Sequence, residues 1–139
     1  MEVEILHFLG TVKVNGSREV AVKPTNLYNN TSGNTGTITL SETSANFTYL
    51  EIAFFSQYNN AYFTHRVYSP NGKKTGLRYV EIAGPNSFRS SDFFLFGRDI
   101  TISGTSISTT NNTYGFTAID GGYCERENRV YIVRVDGYR

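Results

Sequence analysis

Tryptophan is missing from these 139 residues, and there is a single cysteine, Cys124. A lone cysteine leaves no internal disulfide, so oxidation does not hold the fold together. No stretch approaches the ~20 consecutive apolar residues of a membrane helix. The start, MEVEILHFLG, puts acidic residues before a short apolar run. A secretory signal needs a basic start and a longer apolar centre. An excess of one charge is lacking too: the formal net charge is +1, and Lys73-Lys74 is the only adjacent basic pair. No global pull toward nucleic acid or membrane follows from that. Helix formers such as Ala, Leu, Met and Gln are sparse, and no segment carries a 3.6-residue apolar stripe.

What the chain has instead is Gly, Asn, Ser and Thr in abundance, with aromatics at 14%, all Tyr and Phe. That mix suits short strands joined by turns. The length fits one domain with a real core. The organising stretch is Gly36 to Tyr68. From Thr48 to Ser56 the residues alternate, with Leu50, Ile52 and Phe54 on one side and Tyr49, Glu51 and Phe55 on the other. A period of two marks a strand with one buried face. Tyr58-Asn59-Asn60-Ala61 supplies turn chemistry. Tyr62 to Tyr68 runs back, with Phe63 and Val67 inward and Thr64 and Arg66 toward water.

The remaining chain repeats the theme. Glu2 to Val14 and Arg18 to Lys23 flank Asn15-Gly16, a type I′ hairpin signal. Asn29 to Thr35 has no apolar residue and predicts a loop. Pro70-Asn71-Gly72 is a turn. Leu77 to Ile82, Ser90 to Phe96 (interrupted by Gly97), Asp99 to Ser103 and Tyr114 to Ile119 predict strands. Asn128 to Asp136 closes the chain, with Val130 and Ile132 on one face and Tyr131, Val133 and Val135 on the other. About ten short strands with frequent turn signals predict an all-β fold, an antiparallel β-sandwich in jelly-roll-like order. The division expected is an N-terminal hairpin or connecting arm over 1–25 and a sandwich over 26–139.

Three stretches carry a resemblance: Gly36 to Glu42 (GTITLSE), Asn46 to Ile52 (NFTYLEI) and Val67 to Lys73 (VYSPNGK). Asp99 to Ile107 and Val130 to Tyr138 fit the same pattern. Over residues 26–139 the chain resembles C-terminal tip domains of tail and fibre proteins from phages and prophages of Gram-positive bacteria. These motifs are structural rather than catalytic. The resemblance implies a virion structural protein, made in the bacterial cytoplasm during assembly, that works in host attachment. It implies partners of three kinds: copies of itself in a homotrimer, other tail proteins, and a host cell-wall or surface polysaccharide.

The usual catalytic groups are few. His7 and His65 lie in different strands, and Cys124 sits in a turn-like Tyr-Cys-Glu-Arg-Glu. Nucleophilic catalysis needs Ser or Cys held by a base, and no Gly-x-Ser-x-Gly or His-Glu-x-x-His occurs. The expectation is therefore a protein that is not an enzyme, with no catalytic residue, no metal and no cofactor. Sugar recognition survives best. Saccharides present apolar C–H faces and hydroxyl rims, which a tyrosine ring beside Asn, Asp or Arg satisfies on a loop tip. Three loops fit: Tyr58, Asn59, Asn60 and Tyr62; Arg89 with Asp92; and Tyr114 with Asp120, Tyr123 and Arg126. The plain alternative is that these tyrosines cap the core with their hydroxyls in water. Three rival readings of the whole are a carbohydrate-binding module attached to a hydrolase, a structural spacer that binds nothing, and a hydrolase of cell-wall polymer.

Overall fold

A computed structural model of the chain describes residues 11–14, 18–56, 61–82, 93–109, 114–117, 124–126 and 130–139. Strands β1 (Thr11–Val14) and β2 (Arg18–Ala21) pair with each other as a two-stranded sheet of their own. The other strands form two antiparallel sheets. The four-stranded sheet has the order β3 (Thr25–Asn34), β12 (Val130–Tyr138), β5 (Tyr49–Ser56), β6 (Tyr62–Tyr68). The six-stranded sheet is built on β8 (Phe93–Ser103), which pairs along one edge with β7 (Lys74–Ile82). Its other edge pairs with β10 (Tyr114–Thr117) and β9 (Ser106–Thr109); β11 (Cys124–Arg126) and β4 (Ile38–Thr39) extend the sheet beyond them. The all-β antiparallel sandwich expected from the alternation is the fold observed, with ten strands in its two sheets.

The core follows the period of two. Leu50, Ile52 and Phe54 of β5 are buried, as are Val67 of β6, Leu77 and Tyr79 of β7, and Phe96, Ile100 and Ile102 of β8. Each such side chain contributes about 1.5–3 kcal/mol by leaving water. Rings stack from one sheet into the other: Phe54 on Phe63 at 5.7 Å, Phe63 on Tyr79 at 4.9 Å, Tyr79 on Phe96 at 4.9 Å. One charge joins this core. Arg98 follows Phe96 on the inward face of β8, is fully buried, and donates from Nη1 to the Thr35 carbonyl. Burial holds its basicity below the ordinary arginine value. The turn at Pro70 to Lys73 uses Gly72 at φ +78°. Asn71 Oδ1 accepts from Gly104 N at 2.9 Å and from Ser44 Oγ at 3.4 Å, joining three connections at one end of the sandwich.

Three local readings are corrected. Residues 29–34 are strand, not loop: β3 runs ten residues as the sheet's edge and pairs with β12. An edge strand with one solvated side needs little apolar content, so its polarity hid it. Gly97 does not interrupt β8, which runs through it for eleven residues. Gly97 instead makes room for the Arg78 side chain: a Cβ there would lie 2.6 Å from Arg78 Cδ. Finally, Val135 faces the core with Ile132, both fully buried. Val133 is an extra residue between Ile132 and Arg134 in the ladder to β5, a bulge that reverses the parity of everything after it.

Candidate functional site

The outer face of the four-stranded sheet is a grid set by register. Strand alternation turns Tyr49, Glu51, Ala53 and Phe55 of β5 outward, opposite their buried neighbours. The ladder to β6 places Phe55 opposite Tyr62, Ala53 opposite Thr64, Glu51 opposite Arg66 and Tyr49 opposite Tyr68. The ladder to β12 places the same four residues opposite Tyr131, Arg134, Asp136 and Tyr138. The bulge at Val133 makes the match: without it, Arg134 and Asp136 would point into the core. Beyond β12, β3 sets Asn29 beside Arg134 and Asn26 beside Asp136.

Two aromatic rows result. In one, Phe55 stacks on Tyr131 at 5.0 Å and meets Tyr62 at 5.6 Å. In the other, Tyr49 stacks on Tyr138 at 4.5 Å and meets Tyr68 at 5.4 Å. The β6 member of each row is the most exposed: Tyr62 at 68% and Tyr68 at 59%. The rows are six residues apart on β5, or about 20 Å at the usual strand rise, and four strands give a width of about 14 Å. Gly33, at φ +75°, lies against the first row, where a Cβ would sit 2.6 Å from Tyr131 Cβ.

Between the rows lie two carboxylates, each gripped by an arginine. Glu51 Oε1 accepts from Arg66 Nε at 3.1 Å and Nη2 at 2.5 Å, and Glu51 Oε2 accepts from the Tyr138 hydroxyl at 3.2 Å. Arg66 also donates from Nη1 to the Tyr68 hydroxyl at 3.4 Å and lies over the Tyr49 ring at 4.6 Å. Bonds to Tyr68 and Glu51 raise its basicity further. Asp136 Oδ2 forms an ion pair with Arg134 Nε at 2.6 Å, and its Oδ1 accepts from Asn26 Nδ2 at 2.9 Å. Burial, then the Glu51 carboxylate, pushes the Tyr138 hydroxyl up to about 12, and burial raises Tyr49.

Of the residues singled out from sequence, the structure places Tyr62 on this face, in the first aromatic row. Tyr114 and Arg126 come together as register partners of the β10–β11 ladder. Tyr58, Asn59, Asn60, Arg89, Asp92, Asp120 and Tyr123 lie outside the described residues. Sequence reasoning passed over Tyr49, Phe55, Tyr68, Tyr131, Tyr138 and Arg134 as site residues. The available signal was parity: every second residue of two strands joined by a short turn, read across the hairpin. His65 is half-buried on the inward face between Phe63 and Val67, with Nε2 3.0 Å from Thr75 Oγ1. Burial, and then Arg78, holds its pKa below the usual histidine value.

Elsewhere, a shallow depression of about 300 Å³ is walled by Ser44, Phe47, Pro70 and Asn71 and offers no titratable side chain. Among the described residues no three metal-ligating side chains converge, and no helix is long and apolar enough to cross a membrane. No protein-family model matches the chain, and no curated protein matches it.

Proposed function

We propose that this chain is a structural domain of a phage or prophage tail appendage that adheres to a glycan on the surface of a Gram-positive host. The observation that carries the adhesive part is the pair of aromatic rows, exposed at their Tyr62 and Tyr68 ends, with polar groups between them. Tyrosine rings accept the C–H faces of sugars, and Asn26, Asn29, Thr64 and Arg134 supply donors and acceptors for hydroxyls. The setting rests on the resemblance of residues 26–139. The chemistry is binding, not hydrolysis. Glycosidases need one carboxyl free to donate a proton and one free to attack or activate water. Glu51 and Asp136 are neighbours in register, but both are recessed and held by guanidinium groups, which suits them to anchoring arginines. A trimer would multiply weak contacts, since linked sites raise avidity by ~10² to 10⁴ without new contacts.

The test is sedimentation of the domain with cell walls from a panel of Gram-positive bacteria. The expected result is binding to at least one wall type, lost in Tyr62→Ala/Tyr68→Ala and retained in Tyr58→Ala/Tyr123→Ala. Retention by the first pair with loss in the second returns the site to the loops. Binding to no wall in the panel refutes the adhesive role.

A further inference from the structure

We infer that this face reads an extended, negatively charged glycan, with both aromatic rows stacking at once and Arg134 taking the anionic group between them. This inference rests on the glycan-adhesion reading above and adds to it the length and charge of the ligand.

The length argument comes from spacing. The exposed ends of the rows, Tyr62 and Tyr68, lie on one strand with Thr64 and Arg66 between them. Six residues of strand separate them, about 20 Å. A single sugar ring covers one row only. A chain lying along the strand direction covers both and crosses the low ground at Ala53 and Thr64.

The charge argument comes from which groups reach solvent. The carboxylates are recessed: the side chains of Glu51 and Asp136 are 10% and 12% exposed. Their arginine partners stand above them, Arg66 at 35% and Arg134 at 53%. The two arginines differ in what remains to be satisfied. Arg66 spends Nε and Nη2 on Glu51 and Nη1 on Tyr68. Arg134 is tied to Asp136 through Nε, and its terminal fork has no partner among the described residues. The bulge at Val133 turns it onto this face beside Ala53. A guanidinium anchored at Nε and open at its fork matches a carboxylate or a phosphate through two parallel hydrogen bonds. The face is formally neutral, so attraction acts at contact and not at range. The salt dependence expected is that of about one ion pair.

The experiment is calorimetric titration of the full chain with four probes: oligogalacturonate as dimer and as octamer, the methyl-esterified octamer, and a neutral octasaccharide phosphorylated on its sugar rings. The expected result is that a charged octamer-length chain binds at least about tenfold more tightly than the dimer and than the esterified octamer. The carboxylate and phosphate arms identify the source of the charge. Arg134→Gln should erase the preference for charge, bringing the charged octamer down to the affinity of its ester, and Tyr68→Ala should erase the preference for length. Equal affinity for dimer and octamer, a charge preference that survives Arg134→Gln, or no binding of any probe at millimolar concentration overturns the inference. If wall sedimentation still depends on Tyr62 and Tyr68 in those cases, the adhesion reading stands. If it does not, both fall.

Discussion

Tyr138 offers a test of the outer face that does not depend on any ligand. Its hydroxyl is buried against Tyr49 and donates to Glu51. Ionising it would place a second negative charge beside that carboxylate, with Asp136 next in register. Burial first, and this repulsion second, raise its pKa from 10.0 to about 12. A tyrosine raised in the folded state favours folding fully below its unfolded value, and that contribution fades as pH climbs toward the folded value. Between pH 9 and 11 the native chain should lose about 1.4 kcal/mol from this one group, since each pKa unit is worth about 1.36 kcal/mol. The other tyrosines and the lysines titrate in the same window, so wild type must be compared with Tyr138→Phe. At pH 8 the variant lacks one hydrogen bond and should be less stable by about 1 kcal/mol. By pH 11 the gap should close or reverse. Urea unfolding at fixed pH, followed by circular dichroism, reads the difference directly. A gap independent of pH from 8 to 11 would refute the placement of this hydroxyl against Glu51.

Gly137→Ala tests the inward side of the same strand: a Cβ would sit 2.5 Å from the Phe47 ring, which is itself buried. Overpacking of that kind costs about 1–3 kcal/mol, seen as a lowered urea midpoint, whereas Gly72→Ala meets nothing within 4 Å and pays only for its φ of +78°. Asn71→Ala removes the acceptor shared by Gly104 N and Ser44 Oγ and should cost about 1–2 kcal/mol in the same assay. His65 is held neutral by burial, so its contribution is complete above the ordinary histidine value and fades as pH falls below it; His65→Gln should flatten the acid limb of a thermal-melt series run from pH 7.5 to 5. Light scattering on the isolated chain should return the mass of a trimer, and a monomer mass would remove the avidity argument.

Local alternation made most of the interior legible. Leu50, Ile52, Phe54, Ile100 and Ile102 were placed by period alone, and all are buried. The failures have a common physical origin in pairing, which is not local. Residues 29–34 read as loop because nothing in them is apolar; they are strand because β12, about a hundred residues later in the chain, offers partners to Asn29 and Asn34. Val135 read as outward because parity was counted through Val133. The extra residue is visible only against the uninterrupted run of β5 across the ladder.

The same non-locality hid the site. Each aromatic row takes one residue from β12, one from β5 and one from β6, so Tyr131 and Tyr138 join rings about seventy to ninety residues earlier in the chain. Viewed along the sequence, Tyr62, Tyr68 and Phe55 are ordinary outward residues of two strands. They become a platform only when the bulge shifts the second half of β12 by one position and brings Arg134, Asp136 and Tyr138 out with Tyr131. The bulge therefore links fold to function. Deleting Val133 would restore simple alternation and turn Arg134 and Asp136 inward, burying two charges against Ile52 and its neighbours. A strand that tolerates an extra residue to keep Arg134, Asp136 and Tyr138 out of the core is a strand whose outer face is in use.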